Sequence, residues 1–173
     1  MNIKPDDLVV YKSAGVCRVL AEEEQCMDGV TYVMYYKLKP LGDDNSTYYI
    51  PVASADEKLR RLLTREEVLE LIDTMPRDEE EAELWSDNRR ERKEMYSRIL
   101  GGDDQKALVQ LIASLYFHKQ SWEAHGKRFS SMDETAMKNA ETLMLQEFGV
   151  VLGMEPEQVR DFIDERVNAN AVS

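Results

Sequence analysis

Cysteine is scarce in this sequence of 173 residues, in which only Cys17 and Cys26 occur. Two cysteines cannot form a disulfide framework, and no histidine lies close enough in sequence to complete a structural zinc site. Long apolar runs are also missing, because no stretch approaches the roughly 18 consecutive apolar residues that a membrane-spanning helix needs. The N-terminus lacks the apolar core of a secretory signal. We therefore expect two ordinary thiols in a cytoplasmic protein that makes no contact with a membrane.

Catalytic motifs are missing as well. The sequence contains no G-x-S-x-G nucleophile elbow, no phosphate-binding P-loop, no H-E-x-x-H pair and no dinucleotide-binding fingerprint. No third ligand is spaced to join His118 and His125, so we expect both to be surface histidines. The acidic run at residues 78–83 would point its carboxylates in different directions around a helix, whereas a cation site needs convergent oxygens. We expect no enzymatic activity, no metal and no cofactor.

Positively charged residues are fewer than negatively charged ones, because the sequence has 22 Lys and Arg and 34 Asp and Glu, which gives a net charge of −12. A uniformly acidic surface would repel the phosphates of a nucleic acid. The charge is uneven, however, because residues 85–128 carry nine cations and six anions, whereas the flanking segments 64–84 and 129–173 carry two against nine and three against nine. Only this central segment suits a contact with phosphates.

The first 63 residues have the alternation and turn signals of β-strands. Short runs rich in β-branched and aromatic residues occur at residues 8–11, 16–20, 30–38 and 47–52, and Asp28-Gly29 is a typical hairpin turn. The second run fades into the acidic residues 22–24, and a weaker fifth strand is expected near residues 59–62. Short antiparallel strands with tight turns hide their edges by curling into a small barrel.

From Thr64 onward, apolar residues recur at helical spacing. Thr64 and Glu67 form a capping box, which predicts a helix to about residue 74. Further helices are predicted over residues 78–100 and 103–125, from a second capping box at Ser131 and Glu134, and from Pro156. The fold class is therefore α+β, with a small antiparallel β-barrel over residues 1–63 and an all-helical bundle over residues 64–173.

Trp85 opens the positive segment. On one continuous helix, three cations and a tyrosine would follow it along a single stripe, namely Arg89, Arg92, Lys93 and Tyr96. Two interpretations are open. Either the indole packs against the bundle and the cations are a solvated face, or the cations contact phosphates while the indole acts as an apolar wedge against a base step.

Five tyrosines are concentrated in two of the predicted strands: Tyr32, Tyr35, Tyr36, Tyr48 and Tyr49. The interior of a small sheet cannot hold all of them, so several must face outward. Such a cluster beside an edge strand suits a protein-binding surface, and ordinary cross-strand packing is the alternative.

The order of these features resembles the CarD/CdnL family of bacterial transcription regulators, in particular the branch found in low-GC Gram-positive bacteria. The resemblance covers nearly the whole chain. It is carried by colinear segments: DLVVY at residues 7–11, GV at 15–16, YIPV at 49–52, LLTREEV at 62–68, Trp85 with its basic neighbours, GD at 102–103, EF at 147–148 and GMEPE at 153–157.

The resemblance implies a Tudor-like domain that docks on the β subunit of RNA polymerase, and a helical domain that reaches promoter DNA at the upstream fork. In that family a tryptophan wedges into the minor groove and stabilises the open complex. By position, the implied DNA-binding residues are Trp85, Arg89, Arg90, Arg92 and Lys93, with Trp122 as a competing wedge. The implied polymerase contacts are Gln25, Tyr48, Tyr49 and Pro51.

The resemblance further implies a monomer that meets DNA only when polymerase is bound, and that reaches the nucleoid through polymerase. An acidic chain should bind promoters weakly when free in solution, because its net charge opposes phosphate contacts. The alternative function is a protein-interaction adaptor, which binds polymerase or another partner through the β module and does not touch DNA.

Overall fold

The structure of the protein, a computed structural model, describes residues 1–172. The backbone divides into two compact units, Met1–Leu62 and a second that begins at Leu63. Each unit has its own hydrophobic core. The first is a β-sheet unit and the second is helical, so the predicted α+β class is confirmed.

The first unit is a four-stranded antiparallel sheet that curls into a half-barrel. Its strands, in spatial as in chain order, are β1 (Leu8–Tyr11), β2 (Gly15–Gln25), β3 (Val33–Pro40) and β4 (Tyr48–Pro51). Alternate residues such as Val19, Leu38 and Ile50 are buried beneath the sheet. This alternation gives one core face and one outer face.

Strand β2 is longer than its sequence suggests, because the acidic residues 22–24 continue the strand and pair with residues 34–36 of β3. The ladder shifts register between Val19 and Ala21, which leaves Leu20 bulged and 40% exposed. A bulge of this kind increases the local twist of the sheet.

The predicted fifth strand at residues 59–62 is wrong. A short helix, α1 (Ala55–Lys58), precedes this segment, and only an isolated bridge follows it. In that bridge the Val10 amide donates to the Arg60 carbonyl at 2.9 Å, and the Arg60 amide donates back at 3.1 Å. Too few extended residues remain after α1 for a ladder, yet these two bonds cover part of the β1 edge of the sheet.

The second unit contains the helices α2 (Arg65–Asp73), α3 (Glu79–Ala82), α4 (Arg89–Leu100), α5 (Gln105–Ala124), α6 (Ser131–Leu152) and α7 (Pro156–Val172). The Thr64 hydroxyl accepts from the Glu67 amide, which confirms this predicted cap. At the start of α6 the prediction is wrong by one residue, because the capping side chain is Ser130 and it accepts from the Asp133 amide.

The predicted continuous helix over residues 78–100 is wrong. Asp78 caps α3, which lasts one turn and ends at Glu83 in the left-handed conformation with φ 39°. Asn88 then caps α4, with its side-chain oxygen accepting from the amides of Arg90 and Glu91. The run Ser86-Asp87-Asn88 favours this break, because such side chains bond the nearby backbone outside helices. Trp85 therefore lies in a loop, residues 83–88, called the Trp85 loop below.

The core of the helical unit lies among α2, α5, α6 and α7. Its largest fully buried apolar side chains, each at most 1% exposed, are Val68, Ile72, Leu111, Leu115, Phe148 and Val159. Within residues 1–172, no helix is long and apolar enough to cross a membrane. Across the same residues, no group of three or more His, Cys, Asp or Glu is placed to hold a metal ion.

Candidate functional site

The Trp85 side chain is half-buried and contacts both α5 and its own loop. Its indole stacks on His118 of α5, with ring centroids 3.7 Å apart and planes 13° apart. Its Nε1–H donates to Asp87 Oδ1 at 3.1 Å within the Trp85 loop. Trp122, one turn further along α5, meets the indole edge-on at 5.8 Å. The two tryptophans proposed as alternative wedges thus belong to one aromatic cluster: Trp85, His118, Trp122 and Phe129.

Arg92 is the predicted site residue whose placement differs most from expectation. Because Trp85 is not on α4, the stripe expected along a single helix does not form, and Arg92 is only 6% exposed. Its Nε and Nη2 donate to the two carboxylate oxygens of Asp133, each at 3.1 Å. Its Nη1 donates to the carbonyls of Ser86 at 3.1 Å and Asp87 at 3.4 Å. The expectation of a solvent-facing Arg92 is therefore wrong.

Asp133 is the buried anion that receives this guanidinium. Its carboxylate also accepts from the Tyr96 hydroxyl at 2.6 Å and from the Ser130 hydroxyl. Burial opposes ionisation of Asp133, but hydrogen bonds from Arg92, Ser130 and Tyr96 outweigh it and hold its pKa below the usual range. Burial and the bond to Asp133 raise the pKa of Tyr96. Tyr96, placed on the stripe by its sequence, is instead a buried member of this network.

The other predicted cations of α4 lie in solvent. Arg89, Arg90 and Lys93 are exposed. Arg90 Nε lies 3.3 Å from Glu94 Oε1, an exposed pair of a kind that contributes little to stability. Arg89 and Arg90 occupy the first turn of α4, at the positive end of the helix dipole, where cations are unfavourable for the helix. The role of these three residues in binding DNA stays a prediction.

The aromatic cluster also contacts a cation, Lys127, that the sequence analysis did not identify. Lys127 Nζ lies 5.8 Å from the centroid of the Trp122 ring, and Arg128 beside it is exposed. Both belong to the connection between α5 and α6, where Gly126 adopts a φ of +70°. The sequence signal was a Lys-Arg pair directly after a glycine, inside the positive segment. The connection between α5 and α6 thus brings one exposed cation, Lys127, to the aromatic cluster.

His118 is not the surface histidine expected from the sequence. Its side chain is 13% exposed, and its Nδ1 lies 3.0 Å from Glu79 Oε1 of α3. Burial lowers the pKa of His118, and this effect outweighs the opposite influence of the carboxylates of Glu79 and Asp87. Its ring is therefore a neutral stacking partner for Trp85 at neutral pH. His125, by contrast, is exposed as expected.

The lowered pKa of His118 predicts an acid-sensitive helical unit. When pH falls below the unfolded pKa of about 6.5, the unfolded chain binds the proton first, so stability is lost as pH falls towards the folded pKa. His118→Phe keeps a ring against Trp85 and should flatten this dependence, measured as thermal unfolding at several pH values between about 7.5 and 5.5. His125→Phe is the control and should keep the wild-type dependence. Equal slopes for wild type and His118→Phe would contradict the prediction.

Three of the four predicted polymerase contacts share the outer face of the sheet. Tyr35 lies opposite Pro51, and its ring meets Tyr49 edge-on at 6.5 Å between centroids. Gln25 lies at the far end of β2 on the same face, where its amide donates to Glu23 Oε1 at 3.1 Å. The outer tyrosine cluster predicted from the sequence therefore consists of Tyr35 and Tyr49.

Tyr48 lies on the opposite face of the sheet. It pairs with the buried Leu38 and packs against the core, where its ring contacts Tyr11 at 5.3 Å. Tyr36 is also inward and 7% exposed, whereas Tyr32 precedes β3 and is 68% exposed. Of the five tyrosines, two therefore form the outer cluster and two contribute to the core.

Strand β4 is an edge of the sheet. Within the described residues its only strand partner is β3, whereas the β1 edge carries the bridge to Arg60. An edge strand presents backbone amides and carbonyls that an added strand can pair with. The outer face therefore adjoins an edge that can accept another strand.

Comparison with known families gives one match to this unit. The description "CarD-like/TRCF RID domain" matches residues 3–63, about a third of the chain. A comparison with the curated proteins found no match. The narrower assignment to a Gram-positive branch stays a prediction. The match covers the entire half-barrel, whose outer face and open edge were described above, and the family is one of domains that interact with the RNA polymerase β subunit. Residues 3–63 are thus a CarD-like/TRCF RID domain.

Proposed function

We propose that this protein is a transcription regulator that docks on the RNA polymerase β subunit and stabilises the promoter open complex. Docking uses the outer face and open edge of the half-barrel. The aromatic cluster then contacts the upstream edge of the bubble, with Trp85 as the wedge and nearby cations on the phosphates. The observation that carries the proposal is this loop-mounted indole, which shares an aromatic cluster with Trp122 and Lys127 and precedes the exposed cations of α4, in a chain whose first unit is a RID domain.

The chemistry of the outer face supports docking on protein. Tyr35 and Tyr49 offer amphipathic rings, Pro51 adds apolar area, and β4 is an edge strand of the sheet. Tyrosines are enriched at protein interfaces for this reason. Strand addition would supply affinity from the main chain, and the two rings would supply specificity.

The chemistry of the aromatic cluster supports a contact with distorted DNA. Arg89, Lys93 and Lys127 can reach phosphates, and such contacts position a protein without reading base sequence. An indole can occupy an opened base step in the minor groove. The proposed contact is therefore insensitive to sequence and sensitive to strand separation.

The net charge of −12 explains why docking on polymerase must come first. Even basic proteins bind non-specific DNA with dissociation constants of only about 10⁻⁴ to 10⁻⁶ M, and this chain should be weaker. Tethering through polymerase raises the local concentration to roughly millimolar, enough to use a weak contact. The acidic flanks thereby suppress binding to DNA away from promoters.

A second candidate function is an adaptor that binds polymerase without touching DNA. The stacking of Trp85 on His118 favours it, because an indole used only for packing would look similar. A photoreactive phenylalanine analogue at position 85 separates the two functions in a complex with polymerase and promoter. Our proposal predicts a DNA adduct at the upstream edge of the bubble, whereas the adaptor predicts none.

Docking itself is tested with the isolated lobe of the β subunit. Tyr49→Ala removes one outer ring and should weaken binding about tenfold, or about 1.4 kcal/mol, more than truncation of most interface residues costs. Tyr116→Ala, which removes an exposed tyrosine of α5, is the matched control and should bind like wild type. Titration of labelled lobe with each variant measures the affinities. Equal binding by Tyr49→Ala and wild type would place the docking surface elsewhere.

A further inference from the structure

Arg92 connects the Trp85 loop to the body of the helical unit. Two of its donor groups are bound to Asp133 of α6, and a third is directed at two carbonyls of the Trp85 loop. Its Cζ also lies 4.4 Å from the centroid of the Trp85 ring, within cation–π distance. One guanidinium therefore contacts the backbone and the indole of the same loop.

We propose that Arg92, anchored by Asp133, is a positioning residue that holds Trp85 in place for its contact with the promoter, and that Arg92 does not itself bind phosphate. The inference rests on the proposed function for its effect on transcription. The position of the indole, however, can be measured without DNA, so an experiment can contradict the positioning role and leave the proposed function intact, or the reverse.

The Trp85 loop needs such an anchor. Glu83 holds a left-handed conformation that disfavours residues other than glycine, with φ 39°. Trp85 contacts α5 through its stacking on His118, and its indole N–H donates to Asp87 in the same loop. The two bonds from Arg92 to the Ser86 and Asp87 carbonyls fix the loop backbone directly beside the indole.

Arginine is suited to this role by its shape. Its planar fork can bind both oxygens of a carboxylate while further N–H groups point elsewhere, and its flat face can lie against an aromatic ring. A lysine, as a single flexible ammonium, could not make all of these contacts. The guanidinium is therefore used for its geometry as much as for its charge.

The electrostatics argue against a phosphate contact by Arg92. Its charge is offset by Asp133 at 3.1 Å, and both side chains are buried, at 8% and 0% exposure. To reach a phosphate it would have to leave Asp133 as an unpaired buried anion, which is strongly unfavourable. The two roles thus predict opposite effects of Asp133→Asn. A positioning role predicts weaker function, whereas a phosphate contact predicts equal or stronger DNA binding because a negative charge is removed.

The position of the indole is tested by fluorine NMR of the full chain labelled with 5-fluorotryptophan. The chain has two tryptophans, so two signals are expected, assigned with Trp85→Phe and Trp122→Phe. Arg92→Met and Asp133→Asn should each move the Trp85 signal towards its position in the denatured chain. Arg90→Met, which removes an exposed cation of the same helix, should leave it in place. A Trp85 signal unchanged in Arg92→Met would overturn the inference.

A double variant guards against a trivial loss of folding. Arg92→Met with Asp133→Leu replaces the pair by apolar side chains, a change that buried ion pairs often tolerate. We expect the double variant to retain native helicity by circular dichroism and to keep the displaced Trp85 signal. A merely structural role for the pair predicts that the native signal returns with the fold, which would also overturn the inference.

The link to function is tested by the lifetime of open complexes formed with polymerase. Asp133→Asn should shorten the lifetime as much as Trp85→Ala, and combining the two should add nothing further. A lifetime equal to or longer than that of wild type in Asp133→Asn would overturn the inference. If Trp85→Ala itself has no effect while the fluorine signal moves as expected, the positioning of the indole stands and the proposed function fails.

Discussion

Replacing Trp85 with alanine is expected to shorten the lifetime of polymerase-bound open complexes about tenfold. A tenfold change in lifetime requires the aromatic cluster to stabilise the melted promoter by only about 1.4 kcal/mol. The expected loss is large because the indole is the largest apolar group of the Trp85 loop, and the exposed cations of α4 follow it in sequence. The measurement is the decay of preformed complexes after addition of a competitor, with each variant at saturating concentration.

Two matched variants sharpen this experiment. Trp85→Phe keeps a smaller ring and should give an intermediate lifetime, because the wedge's contribution to the stability of the open complex grows with the apolar area it buries. Tyr116→Ala removes an exposed ring elsewhere on α5 and should match wild type. Should Trp85→Ala and wild type decay at one rate, while both still bind the β lobe, the wedge assignment would be refuted and the adaptor function favoured.

Loss of the buried ion pair should produce the largest change in stability. Arg92→Met leaves Asp133 as an uncompensated anion at 0% exposure, and such variants are typically destabilised by about 3–5 kcal/mol. Arg92→Met with Asp133→Leu should recover most of that loss, because neither charge then remains buried. Urea unfolding of the full chain, followed by the helical signal in circular dichroism, measures both values.

The exposed pair of the same helix provides the control. Arg90→Met breaks the contact with Glu94 and should change the free energy of unfolding by at most about 1 kcal/mol. The lowered pKa of Asp133 adds a second signature: the stabilising effect of its charge is present above about pH 3.9, the unfolded value, and is lost as pH falls through the folded pKa. A small effect of Arg92→Met, equal to that of Arg90→Met, would show that the buried pair is not a major anchor.

Local patterns were sufficient to predict most of the fold. Alternation of β-branched and aromatic residues located the strands, and Thr64 and Pro156 marked helix starts that the structure confirms. These signals succeed because the residues that satisfy a helix terminus or a turn lie within four positions of it. The end of β2 was predicted too early, because acidic residues 22–24 do not resemble a strand by themselves and their pairing partners lie on β3.

The candidate site was predicted less well, for a physical reason. Trp85, Arg89 and Arg92 do have helical spacing in the sequence, but caps at Asp78 and Asn88 divide the segment into two helices. Periodicity alone does not show whether a helix continues through a residue that can also cap a new one. The acid that buries Arg92 lies 41 residues away in sequence, so nothing local could reveal it. The aromatic cluster was nevertheless indicated by the sequence, because Trp85 stands beside clustered cations, and its role as a wedge stays a prediction.

The unequal edges of the half-barrel limit how it can assemble. Because the Arg60 bridge occupies part of one side, growth of the sheet by strand addition is directional and is favoured at β4 alone. Head-to-tail stacking into filaments would require both sides to be available, so the unit is protected against open-ended polymerisation. If two copies did meet through β4, they would form a closed pair and leave no strand edge for any other protein, so self-association and recruitment would be mutually exclusive at this edge.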